Sequence, residues 1–265
     1  MCVMIGVRRL FPSILLIIFV VVADIACAAE VRVMISGGLA TPYQELVPQF
    51  ERETGNTVIT AYGPSMGTTK NAILVRLERG ETADVLIMVG DALGTMIDQG
   101  RVVGISRVDL VRSSIGMAVR AGASKPDIRT PHALKQTLLN AKSVAYSDSA
   151  SGIYVGTELF KRLGIAAEMK DKAKMIPAEP VASVVARGDA ELGFQQISEL
   201  LPIAGAELVG PLPPEVQKIT VFSAGITVGA TQPQAGRALI AYLASSVASP
   251  VMKKAGLDPF AALEK

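Results

Sequence analysis

Three times before Gly100, this chain runs from a short apolar stretch through a loop or turn straight into a helical pattern. Val31 to Ile35 (VRVMI) reads as a buried strand, and SGGLATPYQEL then turns at once into a helix. Thr41 is the expected N-cap, with Pro42 at the first helical position and Gln44 three residues after the cap, the arrangement of a capping box. Thr57 to Tyr62 (TVITAY) is the second strand. Its loop, Gly63 to Asn71 (GPSMGTTKN), leads into a helix with Ile73, Leu74 and Leu77 on one face and Gly80 as the stop. Asp84 to Val89 (DVLIMV) is the third strand, followed by a short helix closed by Gly100. Consecutive strand-loop-helix units bury a parallel sheet under helices. Ligands of such sheets gather at the carboxyl ends of the strands, where the small-residue loops lie.

The same order returns between Ser143 and Gly164 (SVAYSDSASGIYVGTELFKRLG). An apolar run and a loop of small or acidic residues precede Ile153, Leu159, Phe160 and Leu163 on a helical period. Ser151 is the expected N-cap, and Glu158 ahead of Lys161 and Arg162 suits the helix dipole. First-turn N–H groups have no partner within a helix, so an anion can supply the missing acceptors. Ser151 and Gly152 therefore mark an anion seat, although an ordinary capped helix fits the same residues.

The first 28 residues fall outside this pattern. Arg8 and Arg9 precede the apolar run Leu10 to Ala23, and Ala26-Cys27-Ala28 supplies a small-x-small cleavage pattern, so a secretory signal peptide is expected. The run contains Pro12 and is shorter than the roughly 20 residues of a membrane span. A lipidated Cys27 is the competing reading, against which Asp24 and Ile25 stand where such a signal has an aliphatic and then a small residue. Cleavage removes both cysteines, which leaves a secreted, disulfide-free chain whose stability rests on its core even though its compartment would permit a disulfide.

A balance of 26 basic to 24 acidic residues and the lack of tryptophan offer nucleic acid neither a basic surface nor stacking platforms. Without a Cys/His metal set, a P-loop or a G-x-S-x-G turn, the sequence calls for no metal and no cofactor. A monomer is expected.

In the second half, Leu110 to Val119 reads as a long strand that crosses into a second lobe. Pro131 to Asn140 is a helix, Met175 to Val181 a short strand, Ala182 to Arg187 a helix and Glu191 to Gln195 another strand. After a surface turn at Pro211 to Pro214, Ile219 to Val228 is the return strand, with closing helices at Ala235 to Ser246 and Pro250 to Ala255. The expected organisation is a signal peptide at 1–28, a first lobe at 29–118, a second lobe at 119–223 and a return segment at 224–265.

Six features in this order resemble the periplasmic molybdate-binding family of type II solute-binding proteins: the signal, the strand and small-residue loop at its head, the serine in the second loop, ERGETADVLI, SASGIYVGTELFKRLG, and PAEPV followed by ELGF. The resemblance spans the mature chain. It implies an α/β fold of two lobes, each a mostly parallel sheet flanked by helices, joined by two hinge strands that close on a small anion. It also implies handover to an ABC-type permease.

Carried onto this sequence, the ligand contacts fall on Gly38, Ser65, Ser151, Val181 and Gln196, with Ser36, Met66, Gly67 and Gly152 beside them in the same loops. Gly38 stands where the molybdate binders have serine and Gln196 where they have tyrosine. The second loop is lengthened by MGTTK. Fewer hydroxyls and a larger loop suit a polycarboxylate better than molybdate. The lengthened loop and GFQQISELLP are similar to a subgroup that includes a periplasmic aconitate isomerase, which implies an allylic 1,3-proton shift as the alternative to simple binding.

Lys70 is the candidate base, and a solvated surface lysine is the competing reading. Asp148 and Glu179 lie beside the predicted loops and can move protons or simply hold those loops. Tyr62 and Tyr154 are candidate donors or packed core residues. His132, the only histidine, has no neighbour in sequence to work with and reads as a surface residue.

Overall fold

The computed structural model describes residues 28–261, so the signal expected at 1–28 lies, but for Ala28, outside the described residues. The first lobe comprises β1 (Glu30–Ile35), α1 (Ala40–Thr54), β2 (Thr57–Tyr62), α2 (Ile73–Glu78), β3 (Val85–Val89), α3 (Gly90–Asp98) and β4 (Val108–Ser113). The second holds β5 (Ile115–Arg120), α4 (Pro131–Asn140), β6 (Val144–Ser147), α5 (Ala150–Tyr154), α6 (Phe160–Arg162) and α7 (Ala166–Met169). It continues with β7 (Ala173–Ile176), α8 (Val181–Arg187), β8 (Leu192–Gln196), α9 (Ile197–Leu200) and β9 (Ala206–Pro211). The chain returns to the first lobe as β10 (Thr220–Ile226), α10 (Pro233–Leu243), α11 (Ser249–Lys254) and β11 (Leu257–Pro259).

The two sheets run β11-β4-β10-β3-β1-β2 and β7-β6-β8-β5-β9. In each, three neighbouring strands are parallel and end at the space between the lobes. β5 and β10 enter their lobes from the other side of that space, so they run against these strands and pair antiparallel on both flanks. The sheets are therefore mixed rather than mostly parallel. Passage between lobes occurs at Ser114 and between Pro211 and Thr220, a few residues before the expected 118 and 223. Separate cores form around Ile35, Leu86 and Phe50 in the first lobe and around Phe194, Leu134 and Leu159 in the second.

Local chemistry explains most element ends. Thr130 caps α4 by accepting the Ala133 N–H at 3.1 Å, with Pro131 in the first turn. Gly55 ends α1 and Gly188 ends α8, each in the left-handed conformation open to glycine.

Four expectations are corrected. A 3₁₀ turn at Gly37–Leu39 runs directly into α1, so the helix begins before Thr41, whose side chain caps nothing. α5 begins before Ser151, and a π turn at Val155–Leu159 separates it from α6. The strand expected to reach Val181 stops at Ile176, because Pro177 and Pro180 cannot donate to a sheet ladder. The long strand over Leu110 to Val119 is two strands in two sheets.

Candidate functional site

The loops after β1, β2, β6 and β7 meet α9 around a cleft of about 440 Å³ between the lobes. Ser36, Gly37, Thr41 and Gln44 line it from the first loop and α1, and Tyr62, Gly63, Pro64 and Asn71 from the second loop. The other lobe contributes Ser147, Asp148 and Ser149, then Ala178, Glu179 and Pro180, and finally Gln195, Glu199, Pro202 and Ile203. No lysine or arginine is among these residues. An anion held here is met by hydroxyls, amides and the first-turn N–H groups of α1.

Packing makes the wall rigid. The Ser147 hydroxyl bonds those of Ser149 at 2.9 Å and Ser151 at 3.1 Å. Gly152 packs against the Ser147 carbonyl, where a Cβ would overlap. Ala178 has a φ of 62°, the one positive value outside glycine among the described residues, and its N–H donates to Asp148 at 3.4 Å. Such strain collects where a loop must present its groups in one way. Glu179 is engaged by the Arg187 guanidinium at 3.0 and 3.2 Å, which neutralises its charge at the rim.

Of the expected contact residues, Ser36 lines the cleft and most others are used inside the protein. Gly38 offers no room for a side chain, since a Cβ would overlap the Phe222 ring, and its carbonyl accepts from Ser198 Oγ at 2.7 Å. Ser65 is buried and accepts the Val89 N–H at 2.9 Å. Met66 packs on the first core, and Gly67 adopts a φ of 99° beside the Asp148 carbonyl. Ser151 and Gly152 are buried beneath the cleft floor.

The Val181 N–H donates to Gln195 Oε1 at 2.9 Å. Gln196 is buried in the hinge, with Nε2 donating to Thr220 Oγ1 at 2.9 Å and Oε1 unpartnered. The Lys70 side chain is exposed and lies outside the cleft lining. Tyr62 lines the cleft and meets Tyr43 edge to face, whereas the Tyr154 hydroxyl donates to the Val216 carbonyl at 2.7 Å. His132 is exposed on α4.

The residue that sequence reasoning missed is Glu199. It stands on α9, immediately after β8, and its carboxylate presses on Gly37 of the opposite lobe, where a Cβ would overlap Oε1. Burial pushes this carboxyl up to about 7, the Asp148 charge adds to the rise, and a hydrogen bond with Gln195 opposes it. A carboxyl raised toward neutrality can both take and return a proton near physiological pH. Its signal was local: Gln195 and Glu199 lie four residues apart in GFQQISELLP, astride the strand-to-helix turn.

Two lobes whose parallel strands all end on a shared cleft, joined by paired crossings of the chain, define a solute-binding protein. The chain belongs to the bacterial extracellular solute-binding protein family, whose profile matches residues 31–258. It is 49% identical over 227 residues to an aconitate isomerase from a Pseudomonas species, covering 86% of this chain and 87% of that one. It is 27% identical to the molybdate-binding protein ModA of Azotobacter vinelandii, over 87% of this chain and 90% of the relative. Its fold matches the structure of the A. vinelandii periplasmic molybdate-binding protein with a TM-score of 0.69 at 18% identity, covering 89% of this chain and all of the other. The resemblance to molybdate binders, with the added likeness to aconitate isomerase, therefore holds.

Proposed function

We propose that this protein is an isomerase that shifts a double bond within a small unsaturated tricarboxylate of the aconitate type, using the cleft of a periplasmic solute-binding fold. The observation that carries the reading is Glu199, a carboxyl in the cleft wall raised to about 7. The identity of 49% to an aconitate isomerase over most of both chains supports it.

In this reading the ionised Glu199 removes a proton from the methylene carbon that is both allylic and next to a carboxylate. The electron pair delocalises over the allyl unit, and the same carboxyl returns the proton to the far carbon, so atoms and charge balance. Closure from both sides keeps water from quenching the intermediate. Ser36, Thr41, Ser147, Ser149 and Asn71 donate to the substrate carboxylates, which replaces the salt bridges that the lining lacks.

Purified protein is incubated with cis-aconitate and trans-aconitate is followed by chromatography. Turnover is expected, and Glu199→Gln should lower kcat by about 100-fold or more. Binding of the tricarboxylate without turnover would leave a carrier that serves an ABC-type permease, and would sink the isomerase reading.

A further inference from the structure

One set of contacts between the lobes is made by α9. Ser198 Oγ donates to the Gly38 carbonyl across the boundary at 2.7 Å, and its neighbour Glu199 lays its carboxylate against Gly37. Ile197 and Leu201 face Gly256 of the return segment, where an added Cβ would crowd them. Parting the lobes must pull this helix off the first lobe and admit water to the Glu199 carboxylate.

We infer that closure of the cleft and protonation of Glu199 are coupled, so that the shut form takes up a proton which the open form gives back. Among the described residues, no group lining the cleft around Glu199 offers a compensating positive charge. The loop after β6 presents Asp148, β8 presents the neutral amide of Gln195, and the loop before α8 presents Glu179, already engaged by Arg187. From the first lobe α1 offers only the uncharged Thr41 and Gln44, and the second loop the Tyr62 hydroxyl. Glu199 is partly buried against Gly37, so its charged form loses part of its water, close to a like charge, each time the lobes meet.

The sign follows from the value of about 7 with Glu199 against Gly37, compared with 4.5 for the hydrated group. A group whose value rises on closure favours the shut form fully below its open-form value, and the advantage is lost as pH rises through the closed-form value. Between pH 7.5 and 5.5 the closed-to-open ratio of the ligand-free protein should rise on the order of tenfold. The inference concerns the protein without ligand and stands whether or not the isomerase reading does.

Small-angle X-ray scattering of the ligand-free protein from pH 5 to 8.5 tests it. The radius of gyration is expected to fall as pH drops through 7. Glu199→Gln, neutral at every pH, should remain at the compact value throughout. Ser198→Ala should displace the whole curve toward the open form while keeping its pH dependence. A flat wild-type curve, or a pH response that survives in Glu199→Gln, overturns the coupling. Circular dichroism of each variant separates loss of fold from loss of response.

Discussion

Two carboxylates set the behaviour of this protein for opposite reasons. Glu199 has no positive partner among the described residues, and burial lifts it to about 7. A base with that value needs to be ionised, so kcat/KM for cis-aconitate should climb as pH rises toward 7 and level off above it, which a pH–rate profile checks. Lys70→Ala should leave that profile within about twofold of wild type, since the side chain is outside the cleft. Asp84 is 1% exposed and accepts hydrogen bonds from the backbone of Arg32, Thr231 and Gln232 and from the Thr231 hydroxyl. Burial works against its charge, but these donors outweigh it and hold the carboxyl below its usual range. Its contribution is present above about pH 4 and is lost as pH falls through the depressed value. Asp84→Ala strands three buried N–H groups between β1 and α10 and should cost about 3 kcal/mol in urea titrations at pH 7.

At the scale of elements, the short turn ahead of α1 shows what the sequence could and could not display. Strands and helices follow from periodicity and punctuation: β2 and α4 occupy the expected residues because apolar alternation and a Thr-Pro start are local signals. The start of α1 is not legible in the sequence, because Ser36, Gly37 and Gly38 can turn in several ways and contacts with α9 and Phe222 select one. Gly38→Ser should therefore destabilise by about 1–3 kcal/mol by driving its Cβ into the Phe222 ring. A double-mutant cycle with Phe222→Leu should recover part of that loss, and strict additivity would refute the clash. Lys70 attracted a role in sequence because it is the one basic residue in its loop, and charge in sequence does not say which way a side chain faces.

On the scale of the molecule, two separate cores are linked by two chain crossings and by contacts that include those of α9 and the packing of Ala150 on the first core. Such a body should depart from two-state unfolding when empty. Calorimetry is expected to give a calorimetric enthalpy above the van't Hoff value, and a tricarboxylate bridging the cleft should bring the two together while raising Tm. Coincident enthalpies without ligand would mean that the interlobe contacts weld the lobes by themselves. The alternation of apolar runs, small-residue loops and helical periods determined the α/β architecture, the order of the elements and the family, because those signals act over a few residues. Tertiary structure decided which polar residues reach the cleft. The spacing of Gln195 and Glu199 is visible locally, but Glu199 acquires its raised value by packing against Gly37, more than 160 positions earlier, and that long-range burial leaves no trace in local sequence.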